Sequence, residues 1–470
     1  MNFQLKIIKT FLFLAIFLIV PNFVHAGTVT MSSGNAVRGP WIGYGVNIAT
    51  LNWSSSKPSS TDWTNTYAPR LGWAKFPFYR IMMSANYNSS YLTQVYRILD
   101  YAKANNVQVQ IAEWGNGWDP VQIQGHTLGD STYTPLVTSY MQNLINTRGY
   151  TNIKYFTLGN EPNYDPDNYS GLSSYMTAIN NQTSSFTSAG LTNSNFVIAG
   201  PDTSNADDWL TSIAQSSSYR SKIGAYDMHV YAYDSVMSNG GLETQMANIW
   251  NSVVGNDPAQ ASKPFVIGEA GMWDGGSSGS NSNIATYNYG LWMADYAVQA
   301  ARSKAGAIAV WSLDNDGVTS QDWGLWATKT NGYTLRPWWY SYSLMSRFVP
   351  TGATIYAPTN PSSSVRVMGA KTTNGKWTFV AVNRGGSSAD VTFTAPDNTQ
   401  QDFKYYLYSS SSQTKDANGI PTELSTVSAT PSAGITKTVP ASSAILLTSV
   451  DSIQVSDTTA PSAPSGLSVQ

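Results

Sequence analysis

Cysteine is absent from the 470 residues. Its absence excludes thiol nucleophiles, Cys-ligated zinc or iron–sulfur centres and disulfide scaffolds. Histidine is almost absent too, with 3 in the chain. His25 lies in a segment expected to be removed, so His126 and His229 remain, too few for a His-rich metal centre. Charge is scarce: charged residues make up 11%, with Lys+Arg 26 against Asp+Glu 28 and a net charge of -2. Nothing in that balance offers a basic footprint for nucleic acid. What is present is 42% hydrophobic and 13% aromatic residues, on a surface left largely to Ser, Thr, Asn, Gln and Tyr. Such a surface suits neutral, hydroxyl-rich partners.

One long apolar run occurs, near the N-terminus. Lys6 and Lys9 precede the apolar stretch Thr10–Val20, and Val24-His25-Ala26 follows with small residues. This is the grammar of an export signal, and the run is shorter than the roughly 20 residues a spanning helix needs. Residues 1–26 are therefore expected to be a signal peptide. The mature protein would start near Gly27, secreted and without a membrane anchor.

From residue 41 to about 348, short β-branched or aromatic runs alternate with segments of helical period. Eight strands are predicted: Trp41–Ala49, Tyr79–Ser84, Val107–Trp114, Ile153–Asn160, Phe196–Pro201, Tyr226–Ala232, Phe265–Glu269 and Ala307–Ser312. Between them Leu92, Val95, Leu99 and Ala102 share one helical face, and Gly241–Val254, Ile284–Lys304 and Pro337–Phe348 also read as helices. Eight strand–helix units in this length predict an α/β fold, a (β/α)8 TIM barrel, over residues 27–349. Residues 27–40 are assigned to it with pairing to the next domain as an alternative.

After Pro350 the helices stop. Ser364–Lys371, Lys376–Asn383, Asp390–Thr394, Phe403–Tyr408 and Ser443–Ser449 alternate as strands, and Asn374-Gly375 predicts a type I′ hairpin turn. Residues 350–452 are thus expected to form a small antiparallel β-sandwich. Residues 453–470 read as a Thr/Pro/Ala/Ser linker whose end resembles the opening of a fibronectin type III module.

The chain has few glutamates, and Glu113, Glu161 and Glu269 fall at the C-terminal ends of predicted strands three, four and seven. Barrel enzymes place their sites at that rim. Glu161 ends Thr157-Leu158-Gly159-Asn160-Glu161-Pro162-Asn163, and Glu269 ends Val266-Ile267-Gly268-Glu269-Ala270-Gly271, where the glycines would let a ligand approach the backbone. Two carboxyls across a barrel mouth can divide labour, one protonating a leaving oxygen while the other attacks an anomeric carbon. The plainer alternative, rim salt bridges, has few Lys or Arg nearby to support it.

Asn160-Glu161-Pro162 after strand four, with Gly268-Glu269 ending strand seven, resembles the retaining glycosidases of clan A over residues 40 to 350. The accessory sandwich is similar to that of families 30, 39 and 51, and Asn163 after the tripeptide looks most like family 39, with families 5 and 30 as the other relatives. The resemblance implies that Glu161 is the acid/base, Glu269 the nucleophile and Asn160 the partner of the sugar 2-hydroxyl. It further implies that Arg80 keeps the nucleophile ionised, that His229 and Tyr231 lie near nucleophile and leaving group, and that Trp311 floors the subsite of the distorted sugar. Many clan members carry an aromatic residue after the nucleophile; Ala270 stands there in this chain, which leaves the family open.

Glu113 has two readings, a contact to sugar hydroxyls or the acid/base, or a structural cap. Trp53, Trp114, Trp118, Trp273, Trp323 and Trp326 follow strand ends, and half or more of them are expected to be packing residues; Trp118, Trp273 and Trp311 are taken as sugar platforms. Gly275–Gly279 fits G-x-S-x-G, but no histidine follows residue 229, so it is read as a flexible loop. Asp314-Asn315-Asp316-Gly317 lacks the downstream Glu of a calcium loop, and no metal or cofactor is expected. The expected partner is a neutral or weakly charged β-linked polysaccharide or oligosaccharide, with endo action suggested by the spread of Trp. A non-catalytic carbohydrate-binding barrel is the alternative.

Overall fold

A computed structural model describes residues 24–37, 41–48, 57–84, 89–114, 126–166, 168–277, 279–315 and 322–451. Strands β2 (Gly43–Asn47), β3 (Phe78–Met83), β4 (Gln108–Glu113), β5 (Ile153–Leu158), β6 (Val197–Ser204), β7 (Ala225–Ala232), β8 (Phe265–Met272) and β9 (Ala307–Val310) close in that order into a barrel. Every neighbouring pair is parallel, and β9 returns to β2 with Gly43 opposite Ala307. All eight strands expected of the barrel are its staves. The longer helices are α1 (Ser89–Ala104), α2 (Tyr133–Gln142), α3 (Leu172–Ser188), α4 (Asp207–Gln215), α5 (Gly241–Val254), α6 (Tyr287–Arg302) and α7 (Pro337–Phe348). Their apolar faces bury the outward residues of the staves, among them Ile81, Ile111, Phe156 and Ile267. Among the described residues no helix is long and apolar enough to cross a membrane.

The inside of the barrel is layered. Ile42, Phe78, Tyr155, Ala199, Ala225, Val266 and Ala307 form an apolar plug near the N-terminal ends of the strands. Two residues further along the same staves the side chains turn polar, because alternate residues share a face. Phe78 gives way to Arg80, Tyr155 to Thr157 and Ala225 to Asp227, each 0% exposed at the polar position. Apolar packing below thus fixes a buried polar layer above, and the rim residues stand on it.

Two β-bulges re-aim residues in that upper part. The β6–β7 register slips between Pro201 and Thr203, leaving Asp202 as the extra residue with φ 62°. The β7–β8 register slips at Gly268, pairing Met228 with Ile267 but His229 with Glu269. Regular alternation from Val266, which faces the interior, would send Glu269 outward; the bulge turns it in. Gly268 is required there. A Cβ would sit 2.6 Å from Asp227 Oδ1 and 2.9 Å from Asp202 Oδ1. The glycines at 268 and 271 therefore admit neighbouring side chains rather than a ligand, since a Cβ on Gly271 would meet the Tyr231 ring at 3.0 Å.

The sandwich has two sheets. One runs β10 (Thr354–Tyr356), β11 (Val365–Lys371), β12 (Trp377–Asn383), β17 (Ser443–Thr448), β14 (Gln401–Tyr408), β15 (Ser425–Ala429). The other is β1 (Val24–Thr30), β13 (Ala389–Thr394), β16 (Ile435–Val439), with β1 parallel to β13. The larger sheet is buried on both faces. Val367, Phe379 and Leu447 look into the sandwich, while Val380, Tyr406 and Leu446 pack with the helices of the barrel. Asp295 of α6 is bound through both carboxylate oxygens by Arg366 of β11, with Arg384 adding a contact at 3.3 Å.

Two local expectations need correction. The β11–β12 hairpin is not type I′: Gly375 has φ 83° but Asn374 is not in the left-handed region. Gly375 N–H donates to Thr372 O, and Thr372 N–H to Lys376 O, which is a type I turn completed by a left-handed glycine. The segment around Gly275 is pinned rather than loose, with Ser282 N–H on Gly275 O and Ser277 N–H on Ser280 O.

Candidate active site

Glu161 and Glu269 reach the same point from opposite sides of the mouth. Glu161 leaves β5 through Gly159 and Asn160 and has φ 48°, a left-handed conformation that costs a non-glycine residue about 1–2 kcal/mol. The turn Pro162–Tyr164 that follows is clamped to β6, because Asn163 exchanges side-chain hydrogen bonds with the Ser204 backbone at 3.0 and 3.2 Å. Asn163 is thus a structural anchor for the turn that carries Glu161. Strain of this kind concentrates where geometry serves a site.

His229 joins the two glutamates. Its Nδ1 is 2.9 Å from Glu161 Oε1 and 3.5 Å from Glu269 Oε2, and one carboxylate oxygen of each glutamate lies within 4.8 Å of the other and of the ring. Tyr231 O–H donates to Glu269 Oε2 at 2.8 Å. Arg80 Nη1 donates to Glu269 Oε1 at 3.0 Å and to Asn47 Oδ1 at 2.9 Å. Its Nη2 reaches Asn160 Oδ1 and Asp202 Oδ2, both at 2.7 Å. An arginine only donates, so Asn160 must turn its oxygen to Arg80. The Asn160 amide nitrogen has no partner among the described residues.

Exposure separates the two carboxyls. The Glu161 side chain is 29% exposed and that of Glu269 only 7%. Burial pushes the Glu269 carboxyl above its ordinary range, with the Glu161 charge adding to the rise, and the cations His229 and Arg80 do not cancel it. Burial also raises Glu161, but hydrogen bonds from His229 and Ser204 and the His229 charge outweigh it and hold that carboxyl below its ordinary value. His229 itself loses by burial and gains more from Glu269, Asp202 and Glu161, so it is held well above the ordinary imidazole range as a cation.

Of the other expected site residues, Trp273 stacks on Trp323 at 6.0 Å, and both rings meet the Tyr231 ring edge-on at 5.6 Å. Trp311 stands at the end of β9, half-buried with Trp114 against Met82 and Ala112. Glu113 is fully buried and accepts from Tyr133 O–H of α2 at 2.8 Å. Trp118 and Trp53 lie outside the described residues. Trp326 is 0% exposed and packs in the core.

Sequence reasoning missed Asn47, Gln110, Asp202 and Asp227. Gln110 Nε2 donates to Thr157 and Asp227, and Asp227 sits beside Asp202 under Gly268. Burial, then the Asp202 charge, pushes Asp227 far up, so it is the protonated member; Asp202 is also penalised by burial, but Arg80 and His229 bring it below the ordinary range. Asp227 was within reach, because it alternates with His229 and Tyr231 on one stave. Two exposed tyrosines flank the mouth as well, Tyr164 at 67% and Tyr233 at 49%. Glu161, His229 and Glu269 could together hold a metal ion. Such an ion would need a neutral His229 and would share Glu269 with Arg80, a poor match to a charged ring.

No family model matches the chain, and a search of curated proteins gives no significant match either. Among solved structures, a family GH30 endoxylanase from Clostridium papyrosolvens is similar at TM-score 0.65 and 14% identity, covering 90% of this chain and 99% of its own. A glucosidase from Croceicoccus marinus gives TM-score 0.66 at 9% identity, covering 91% and 99%. A family 51 α-L-arabinofuranosidase from Bifidobacterium longum gives 0.62 at 11%, covering 90% and 99%. The likeness spans barrel and sandwich and establishes the fold, that of a TIM barrel with a β-sandwich.

Proposed function

We propose that this chain is a secreted retaining β-glycoside hydrolase that cuts a β-linked polysaccharide internally. The observation that carries the reading is the approach of Glu161 and Glu269 within 4.8 Å on either side of His229. Retaining pairs stand about 5–5.5 Å apart and inverting pairs about 6.5–9.5 Å, which leaves room for a water. Glycosidases among the structural neighbours add support.

In this reading the Glu161 proton passes to the glycosidic oxygen as the C–O bond breaks, and a Glu269 oxygen forms an ester to the anomeric carbon. Water then gives a proton to Glu161 while its oxygen attacks that carbon, the ester breaks, and the sugar leaves with its configuration retained. Greater exposure suits Glu161 to meet leaving group and water, and burial suits Glu269 to a single attacking direction. Arg80 and Tyr231 hold Glu269, and the unpartnered Asn160 amide is available to the sugar 2-hydroxyl. In the empty site Glu161 is the more acidic carboxyl. A bound sugar chain removes water from its exposed side and so favours its neutral form.

Trp273, Trp311, Tyr164 and Tyr233 supply aromatic faces around the mouth, suited to the C–H faces of several sugar rings in a row. With so few charges at the rim, a glucan, xylan or mannan is the favoured class. The test is reducing-end release from a panel of β-linked polysaccharides, with Glu161→Gln beside the wild type. Oligosaccharides from wild type alone support the reading; binding without release supports a non-catalytic carbohydrate-binding barrel instead.

A further inference from the structure

Double displacement needs two carboxyls, yet the layer beneath them holds two more, and Asp202 is the better placed. It is the extra residue of the β6 bulge, with φ 62°, a conformation that turns into the barrel a side chain regular alternation would point away. It is 0% exposed. Its Oδ2 accepts from Arg80 at 2.7 Å, and its Oδ1 stands 3.1 Å from His229 Nε2. That second contact is an ion pair set off the hydrogen-bond angle, and His229 Nε2 has no other partner among the described residues. The protonated Asp227 carboxyl lies on the other side of Asp202 and supports its ionised form, so Asp202 is the one buried carboxylate that faces Nε2.

We propose that Asp202 is a positioning residue acting through His229: it holds the ring by Nε2 so that Nδ1 is presented to both Glu161 and Glu269 as a fixed donor. The idea that His229 then serves catalysis rests on the function proposed above; the state of the ring does not. With Nε2 held, Nδ1–H needs no rotation to change partner, since Glu161 Oε1 is at 2.9 Å and Glu269 Oε2 at 3.5 Å. It supports Glu269 while Glu161 carries the proton. Once Glu269 is esterified, it supports the ionised Glu161. One donor serves both half-reactions.

The groups that set the charge of His229 are few. Glu161 faces it from the turn after β5, Asp202 from β6, and Glu269 from β8, with Tyr231 on Glu269. Arg80 of β3 touches both Asp202 and Glu269, and Asp227 of β7 lies beside Asp202. Removing the Asp202 charge deprives the ring of a carboxylate on its Nε2 side, and a lost partner of this kind lowers an imidazole pKa by about 1–3 units.

Nitrogen-15 NMR of the imidazoles tests this directly, since the chain has only 3 histidines. In wild type His229 should keep both ring nitrogens protonated from about pH 5 to 8, a range in which an ordinary histidine titrates. In Asp202→Asn it should titrate within that range while His126 is unchanged, which also reports that the variant is folded. A neutral His229 in wild type at neutral pH, or an unshifted titration in Asp202→Asn, overturns the proposal, and the wild-type measurement stands even if the variant does not fold. With a substrate in hand, Asp202→Asn should lose kcat/KM steeply at neutral pH and recover part of it at acid pH, where the ring recharges. A loss of equal size at every pH would mark a purely structural role and contradict the proposal.

Discussion

Arg80 and Glu269 meet at 3.0 Å across the barrel, from β3 and β8, with the arginine wholly buried. The pair defines Glu269 as the carboxyl held in place from below, and leaves Glu161, on its turn above β5, as the one that faces outward. The proposed assignment of roles draws on that asymmetry.

On the proposed roles Glu269→Ala should abolish turnover of every substrate, because it removes the oxygen that would form the ester to the anomeric carbon. Glu161→Ala should lose about 10²–10⁴-fold on natural leaving groups, the usual contribution of general acid catalysis. On aryl glycosides with acidic leaving groups it should retain the first step, and added azide should trap a β-glycosyl product. Burst kinetics with a nitrophenyl glycoside check both.

The pH profile of kcat/KM should be a bell with its maximum on the acid side of neutrality. The proposed mechanism requires Glu269 ionised and Glu161 protonated. Burial raises the first carboxyl, so the acid limb falls at higher pH than an ordinary glutamate would give; His229 lowers the second, so the basic limb is drawn down. The two limbs belong to the pair rather than to either residue. A plateau extending beyond about pH 8 would contradict this.

Asp227→Asn should leave the fold intact and gain stability over wild type as pH rises. Burial and the Asp202 charge raise the Asp227 carboxyl in the folded chain. Its contribution is therefore full below the unfolded value near 4 and is lost as pH climbs toward the folded value, at about 1.4 kcal/mol per unit. Asparagine keeps an oxygen for Gln110 and needs no proton. Melting temperatures of both proteins from about pH 4 to 8 should diverge upward in favour of the variant.

Arg366→Met should destabilise by roughly 3–5 kcal/mol, toward the lower end because Arg384 still reaches Asp295. The cost is that of a buried carboxylate stripped of its main partner. Adding Asp295→Leu should recover much of it, which denaturant titration of the single and double variants would show.

The staves of the barrel were legible because each is a short apolar run bounded by turns, and Pro337–Phe348 was read to the residue from its first-turn proline. Glu161 and Glu269 were legible as candidates because the glutamates are so few, although β5 stops at Leu158, short of Asn160, and β8 runs past Glu269 to Met272. Asp202 was not, since period-2 alternation sends it outward and only the bulge brings it in. Glu269 reaches the interior by the same device, yet its motif gave it away. β15 and β16 escaped notice for another reason: Ser425–Ala429 and Ile435–Val439 are short and largely polar, with little apolar contrast to read.

Double displacement requires retention at the anomeric carbon. Proton NMR of the first sugar released from the polymer that the enzyme cuts resolves its anomeric configuration before mutarotation. The β-anomer should appear first and then decay toward equilibrium. If the α-anomer appears first, Glu269 is not a nucleophile and the double displacement described above is wrong.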